Sequence, residues 1–164
     1  MLEAKEKEIL KILERDAKAT PEKIATMVGI SSAEVSAKIK ELEDKGIIVQ
    51  YKTIINWEKT GEEVVYAFIE VKVTPERDVG FDSVAKRIYK FPEVHSLYLL
   101  SGTYDLSVVV EGKSMKDIAY FVAEKLATLD NVQGTVSHFM LKKYKIDGKV
   151  LEPEEEDKRL AVTP

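Results

Sequence analysis

The stretch TPEKIATMVGISSAEVSAKIKELEDKG, residues 20–46, restricts the fold more than any other part of the chain. It describes two short helices around a tight turn. Thr20 is a good N-cap, and Pro21 takes the first helical position, where a missing N–H loses no bond. Ile24, Ala25 and Val28 fall on one face. Gly29 then ends the helix, as a residue free to adopt positive φ does. The second helix opens on a capping box, Ser31 with Glu34 three residues on. Ile30 and Val35 stand at the two positions of a hydrophobic staple. Val35, Ile39 and Leu42 recur at i, i+4, i+7, the spacing of a buried stripe, and Gly46 closes the helix.

Two short helices with a glycine in the turn between them form the helix-turn-helix pattern, whose second helix enters the DNA major groove. Opposite the buried stripe lie Ala33, Ala37, Lys40 and Asp44, with Ser36 beside them. Small Ser and Ala side chains allow close approach to base edges. Serine donates or accepts, and alanine meets a thymine methyl. The alternative from these residues alone is an αα-hairpin whose polar face meets only water.

The 164 residues allow one domain or two small ones. There is no cysteine, which excludes disulfides, thiolate metal sites and a cysteine nucleophile and suits a reducing compartment. No apolar run has the length of a membrane span and no signal-peptide pattern opens the chain. A cytoplasmic protein without a membrane partner is expected. The net charge of −4 runs against nucleic-acid binding by bulk attraction. A DNA role therefore needs local lysines and several DNA-binding heads acting together.

Residues 2–16 are expected as a first helix, with Ile9, Ile12 and Leu13 packing on the two helices above. Residues 47–55, IIVQYKTII, carry Lys52 and read as a strand or short wing. The polar stretch 56–63 reads as a linker. The expected organisation is a helix-turn-helix domain at 1–50, a strand linker at 51–63, a second domain at 64–146 and an acidic tail at 147–164. In the second domain, residues 64–73 read as a strand, apolar on both faces: Val65, Ala67, Ile69, Val71 and Val73 against Val64, Tyr66 and Phe68. A helix follows at 81–90 with Phe81, Val84, Ala85 and Ile88. Strands follow at 94–101, again apolar on both faces, and at 106–111. The next helix has Met115, Ile118, Ala119, Val122 and Leu126 as its stripe, and a last extended segment at 132–146 bends near Gly134. The order βαββαβ is the ferredoxin-like arrangement, so the fold class is α+β. Two helices cover one face of such a sheet. A contiguous apolar excess on the other face favours a second copy of the domain over a lone domain with some exposed apolar side chains.

No residue pattern supports catalysis. His95 and His138 lie far apart, with no carboxylate or thiol at ligand spacing. Nucleophile elbow, phosphate loop and zinc-protease motifs are missing. The expectation is a protein that is not an enzyme and takes no metal or cofactor.

Taken together, the segments resemble the leucine-responsive regulator family (Lrp/AsnC, or feast/famine regulators) over residues 2–146. The resemblance rests on Ile24-Ala25, Gly29-Ile30-Ser31, Val35, Lys38, Ile39, Leu42-Glu43 and Gly46-Ile47-Ile48. It rests also on the Gly-x-x-Asp turn Gly102-Thr103-Tyr104-Asp105. Lys38 stands where the family usually has arginine, so no bidentate contact is expected from it. The resemblance implies a transcription regulator that binds double-stranded DNA as a homo-oligomer, at least a dimer, assembling further to a tetramer or octamer. It also implies a small effector, often an amino acid, bound between dimers near the turn. On the DNA side, Lys38 and Lys40 are expected at phosphates and Ser32, Ala33, Ser36 and Ala37 near bases, with Ser31 and Lys52 completing the set. On the effector side, N–H groups around Gly102 and Thr103 would hold a carboxylate, with Tyr104 in the same turn. Asp105 would accept from an ammonium, and Thr135 and Ser137 would add hydrogen bonds; from the residues alone the alternative is an ordinary β-turn, since Gly and Asp are common turn residues. Two other classes fit the same segments: a ligand-sensing regulatory subunit of a metabolic enzyme, and a winged-helix protein–protein adaptor.

Overall fold

The computed structural model describes residues 2–77 and 79–152. The chain divides into two compact units, residues 1–55 and 56–164.

The first unit holds three helices, α1 (Ala4–Arg15), α2 (Pro21–Val28) and α3 (Ser32–Asp44). Their ends follow the caps. Thr20 Oγ1 accepts the Lys23 N–H at 3.4 Å. Gly29 sits at φ 74°, where a side chain would be strained. Ser31 Oγ accepts the Glu34 N–H at 3.2 Å, and the Glu34 carboxylate accepts the Ser31 N–H at 3.0 Å. Glu6 does the same for α1, accepting the Glu3 N–H at 2.7 Å, and is buried in doing so. Ile9, Leu13, Ile24, Val28, Val35 and Leu42 are buried between the helices, while Ile12 and Ile39 pack at the rim. Helices this short are marginal in isolation, so this shared core holds the unit together.

The strand expected at 47–55 does not form. No residue there enters a ladder, and a strand without a partner leaves its backbone groups unpaired. The apolar side chains of Ile47, Val49, Tyr51, Ile54 and Ile55 are exposed. Tyr51 is fixed by donating its hydroxyl to Glu43 Oε1 at 2.8 Å.

The second unit is a four-stranded antiparallel sheet carrying two helices. The strands are β1 (Val65–Val73), β2 (Val94–Leu99), β3 (Leu106–Gly112) and β4 (Val132–Met140), in the spatial order β2-β3-β1-β4. With α4 (Asp82–Ile88) and α5 (Met115–Phe121) between them, this is the ferredoxin-like arrangement. Ala67, Ile69, Val71 and Val73 face Leu106, Val108 and Val110 along one side of the sheet. Val84, Ile88, Ile118, Phe121 and Leu126 bury against them. Gly112 permits the closest helix approach: a Cβ there would stand 2.9 Å from Ile118 Cγ1.

Three expectations change. The outer face of β1 is apolar only at Tyr66 and Phe68, because Glu70 and Lys72 continue the same alternation. In β2, a register shift between Val94 and Ser96 puts Val94, Leu97 and Leu99 on the helix side, opposite Val110, Val108 and Leu106. Ser96 and Tyr98 face the open side, and His95, in the bulge, meets the Tyr66 ring edge-on at 6.1 Å. A bulge of this kind breaks strict alternation. After α5 the chain winds through one π turn, Val122–Leu126. That wider turn shifts the helical phase. Upstream of it, the face of α5 turned to the sheet carries Ile118 and Phe121, three residues apart and both buried, whereas Met115 and Ala119, expected in the stripe, are exposed.

The last strand ends at Met140, earlier than the expected 146, after an irregularity beside Gly134. Two short strands follow, β5 (Lys145–Ile146) and β6 (Lys149–Val150), forming a hairpin around Asp147-Gly148. The first residues of the expected tail thus belong to a hairpin, and the tail from 153 onward lies outside the described residues. A 3-10 turn, Trp57–Lys59, lies in the expected linker.

Candidate nucleic-acid interface and effector turn

Around α3, at about 100° per residue, Ala33, Ser36, Ala37 and Lys40 fall within an arc of about 100°, and all four are exposed. Ser32, at the margin of that arc, is half-buried. Ser31 is engaged in the cap: its hydroxyl also donates to Glu34 Oε2 at 2.7 Å. That bond, and the Ser31 N–H behind it, hold the Glu34 carboxyl below its usual range. Lys52 is exposed on the extended segment after α3.

Lys38 is turned about 140° away from Ala33 and sits beside Val35 and Leu42. Its Nζ lies 2.8 Å from Glu3 Oε2. The Glu3 hydrogen bond, with the fields of Glu3, Glu6 and Glu41, raises its pKa. Lys38 therefore ties α3 to the start of α1. The helical-wheel angle marks its side of the helix from sequence alone, but nothing marks Glu3, 35 residues away, as its partner. Other lysines of this unit are also engaged: Lys23 with Asp16 at 3.0 Å and Lys45 with Glu41 at 2.5 Å. Residues 1–55 hold ten lysines and arginines against ten aspartates and glutamates, so the unit has no net charge.

In the second unit, the turn at 102–105 is latched to the end of β1. Asp105 donates its N–H to the Val71 carbonyl at 3.1 Å. Its carboxylate accepts the Val73 N–H at 2.9 Å and faces Lys72 Nζ at 3.1 Å. Lys72 also donates to the Thr103 carbonyl at 3.1 Å. The Val73 N–H, with Lys72 adding to it against the effect of burial, holds the Asp105 carboxyl below its ordinary range. Asp105 and Tyr104 are half-buried, while Gly102 and Thr103 are exposed. A Cβ on Gly102 would meet nothing within 4 Å, and its backbone is not left-handed. Among the described residues, neither a close contact nor a left-handed backbone requires a glycine there.

Thr135 pairs opposite Val71 on the other side of β1, and Ser137 opposite Ile69. The turn and Thr135 therefore flank one end of β1, about 10 Å apart across two strand spacings. Thr135 is half-buried and Ser137 exposed, both on the helix side of the sheet. Lys72, the latch partner, carries no sequence signal beyond its place in the β1 alternation. Two clefts lie elsewhere. One, of about 380 Å³ between α4 and β2, is lined by Phe81, Tyr89, Leu97 and Leu99. The other, of about 410 Å³, is lined by Glu63, Glu93, Glu111 and Lys113. Neither is lined by the turn, Thr135 or Ser137. Among the described residues no cluster of His, Asp or Glu could hold a metal ion, and no helix is long and apolar enough to cross a membrane.

Two family models match the chain. One, described as winged helix-turn-helix DNA-binding, matches residues 2–49; the other, described as the Lrp/AsnC ligand binding domain, matches residues 66–150. The HTH-type transcriptional regulator YugG of Bacillus subtilis is 55% identical over 164 residues, covering 99% of both chains. LrpA of Pyrococcus horikoshii is 32% identical over 88% of this chain and 100% of its own. Among solved structures, a Neisseria meningitidis transcriptional regulator in complex with L-Met matches with a TM-score of 0.69 and 28% identity, over 89% of this chain and 94% of that one.

Proposed function

Since this chain belongs to the Lrp/AsnC family and is a DNA-binding transcriptional regulator of that type, we propose that it reads DNA through α3 as a homo-oligomer and answers to an amino acid at the 102–105 turn. Ser32, Ala33, Ser36 and Ala37 approach base edges, and Lys40 contacts phosphate, with Lys52 beside the groove. Ser31 holds the helix start in place, and Lys38 holds the helix against α1. A cytoplasmic, non-catalytic role fits this assignment.

The open side of the sheet supports assembly. Phe68, Tyr98, Val136 and Met140 are exposed there, and a second copy of the same face would cover them. Further association of dimers would bring turns of different dimers together.

The observation that carries the effector reading is the turn itself. Its Asp105 end is locked to β1, and its Gly102-Thr103 end stays exposed, with a glycine that the chain's own geometry does not require. Open space at Gly102 leaves backbone N–H groups accessible to a carboxylate. Asp105 accepts a ligand ammonium in competition with Lys72, and Thr135 and Ser137 offer hydroxyls across β1. The Neisseria relative seen with L-Met supports this ligand class. A ligand between dimers alters assembly, and the coupling to DNA is reciprocal.

Calorimetric titration of the parent and of Gly102→Val with the twenty amino acids tests the site. At least one amino acid binds the parent. The variant, whose new side chain meets no neighbour in its own chain, keeps the parent melting temperature and loses about tenfold in affinity, about 1.4 kcal/mol. Undiminished binding by the variant, or no binding to the parent, rules the site out.

A further inference from the structure

The densest run of positive charge in the chain lies outside the helix-turn-helix. Residues 142–149, KKYKIDGK, carry Lys142, Lys143, Lys145 and Lys149 against Asp147 alone, in a chain whose net charge is −4. The three-helix unit has no net charge over residues 1–55. A protein that binds a polyanion gains its sequence-independent affinity from cations at phosphates, and this segment concentrates them.

The segment is built as a defined element. Asp147 and Gly148 take φ of 45° and 79°, the pair of left-handed residues that makes a tight two-residue hairpin turn. Lys145 pairs with Val150 and Ile146 with Lys149. The Leu151 N–H donates to the Tyr144 carbonyl at 3.0 Å, and Asn56 Nδ2 donates to the Leu151 carbonyl at 3.2 Å. Its lysines divide into two roles. Lys143 Nζ lies 3.0 Å from the centroid of the Tyr66 ring, and Lys142 bonds Glu152 Oε2 at 2.7 Å. Lys143 anchors the hairpin to β1, and Lys142 joins the hairpin's two flanks. Lys145 and Lys149 are exposed and have no ion-pair partner among the described residues. Tyr144, 71% exposed, stands between them and the anchors.

We infer that this hairpin is a second DNA contact, in which Lys145 and Lys149 bind phosphates of the duplex without reading sequence. Tyr144 supplies an aromatic face and a hydroxyl at the sugar–phosphate backbone, a contact of the kind that positions a protein on DNA without specifying bases. The inference rests on the protein's DNA binding but not on the assignment of particular α3 residues.

The test uses the full chain and a mixed-sequence 40-base-pair duplex, with affinity measured against salt concentration. Each phosphate neutralised contributes about 0.9 to the slope of log affinity on log salt. The Lys145→Ala/Lys149→Ala variant therefore lowers the slope by about two for each protomer whose hairpin is engaged. Lys145→Arg/Lys149→Arg keeps it, and Lys40→Ala, read separately, reports the α3 contact. Sedimentation of each variant monitors assembly. A reduced slope with unchanged assembly and retention by the arginine pair supports the contact. An unchanged slope overturns it. A reduced slope accompanied by loss of assembly also overturns it, since the hairpin then acts between protomers.

Discussion

Lys38 and Lys40 are two residues apart and so differ by about 200° around α3, which separates their roles. Lys38 lies against the core side and bonds Glu3, while Lys40 stands in the exposed arc with Ala33, Ser36 and Ala37. Replacing each therefore has a different signature. Lys40→Ala reduces the salt slope of DNA binding by about one and weakens all sequences alike. Lys38→Met leaves that slope unchanged but lowers the melting temperature of the three-helix unit, because the tie between α3 and α1 is lost. Fluorescence anisotropy across a salt series, paired with thermal melts, separates the two outcomes. Equal slopes for both variants would remove the distinction.

At the scale of elements, the junction of the 102–105 turn with β1 depends on one carboxylate. The Val73 N–H, and Lys72 after it, hold the folded Asp105 below its unfolded value, which is about 3.9. The stabilisation is thus complete at pH above that value and disappears as pH falls from there through the folded pKa. Urea unfolding of the second unit, followed as a function of pH, shows its midpoint decreasing below about pH 4. Asp105→Asn has a lower midpoint at neutral pH and a shallower decline in acid. A variant that follows the parent curve would show that the latch contributes no pH-dependent stability. Residues 47–55 give a contrasting case at this scale. Their β-branched composition has strand character, yet a strand needs a ladder, and the segment pairs with none of the described residues.

For the whole molecule, the open side of the sheet sets the expectation. Phe68 lies opposite His138 on β4 and Val109 on β3, with Val136 and Met140 beyond it. The polar half of that face holds Glu70, Lys72 and His138, where His138 Nε2 stands 3.2 Å from Glu70 Oε2. Phe68→Asp places a carboxylate where a second copy would pack, and burying it unpaired costs several kcal/mol. Sedimentation velocity at micromolar concentration shows the parent as a dimer or larger and the variant as a folded monomer with intact far-UV dichroism. A monomeric parent would sink the assembly.

The parts readable from the residues alone were those governed by local rules. The caps at Thr20 and Ser31, the glycine stop at Gly29, the Val35–Leu42 stripe and the order of the second unit's elements follow from spacing. Backbone hydrogen bonding and side-chain period act over a few residues and leave a pattern in the string. The tertiary structure decided what depends on residues distant in the chain. Glu3 neutralises Lys38, Lys72 and Val73 occupy Asp105, and a β-bulge turns Val94 and Leu97 to one side. The face of α5 that packs on the sheet takes Phe121 into the core in place of Met115 and Ala119. None of these has a local signal, because an ion pair or a change of phase is set by where packing brings two segments together, and that is a property of the folded chain.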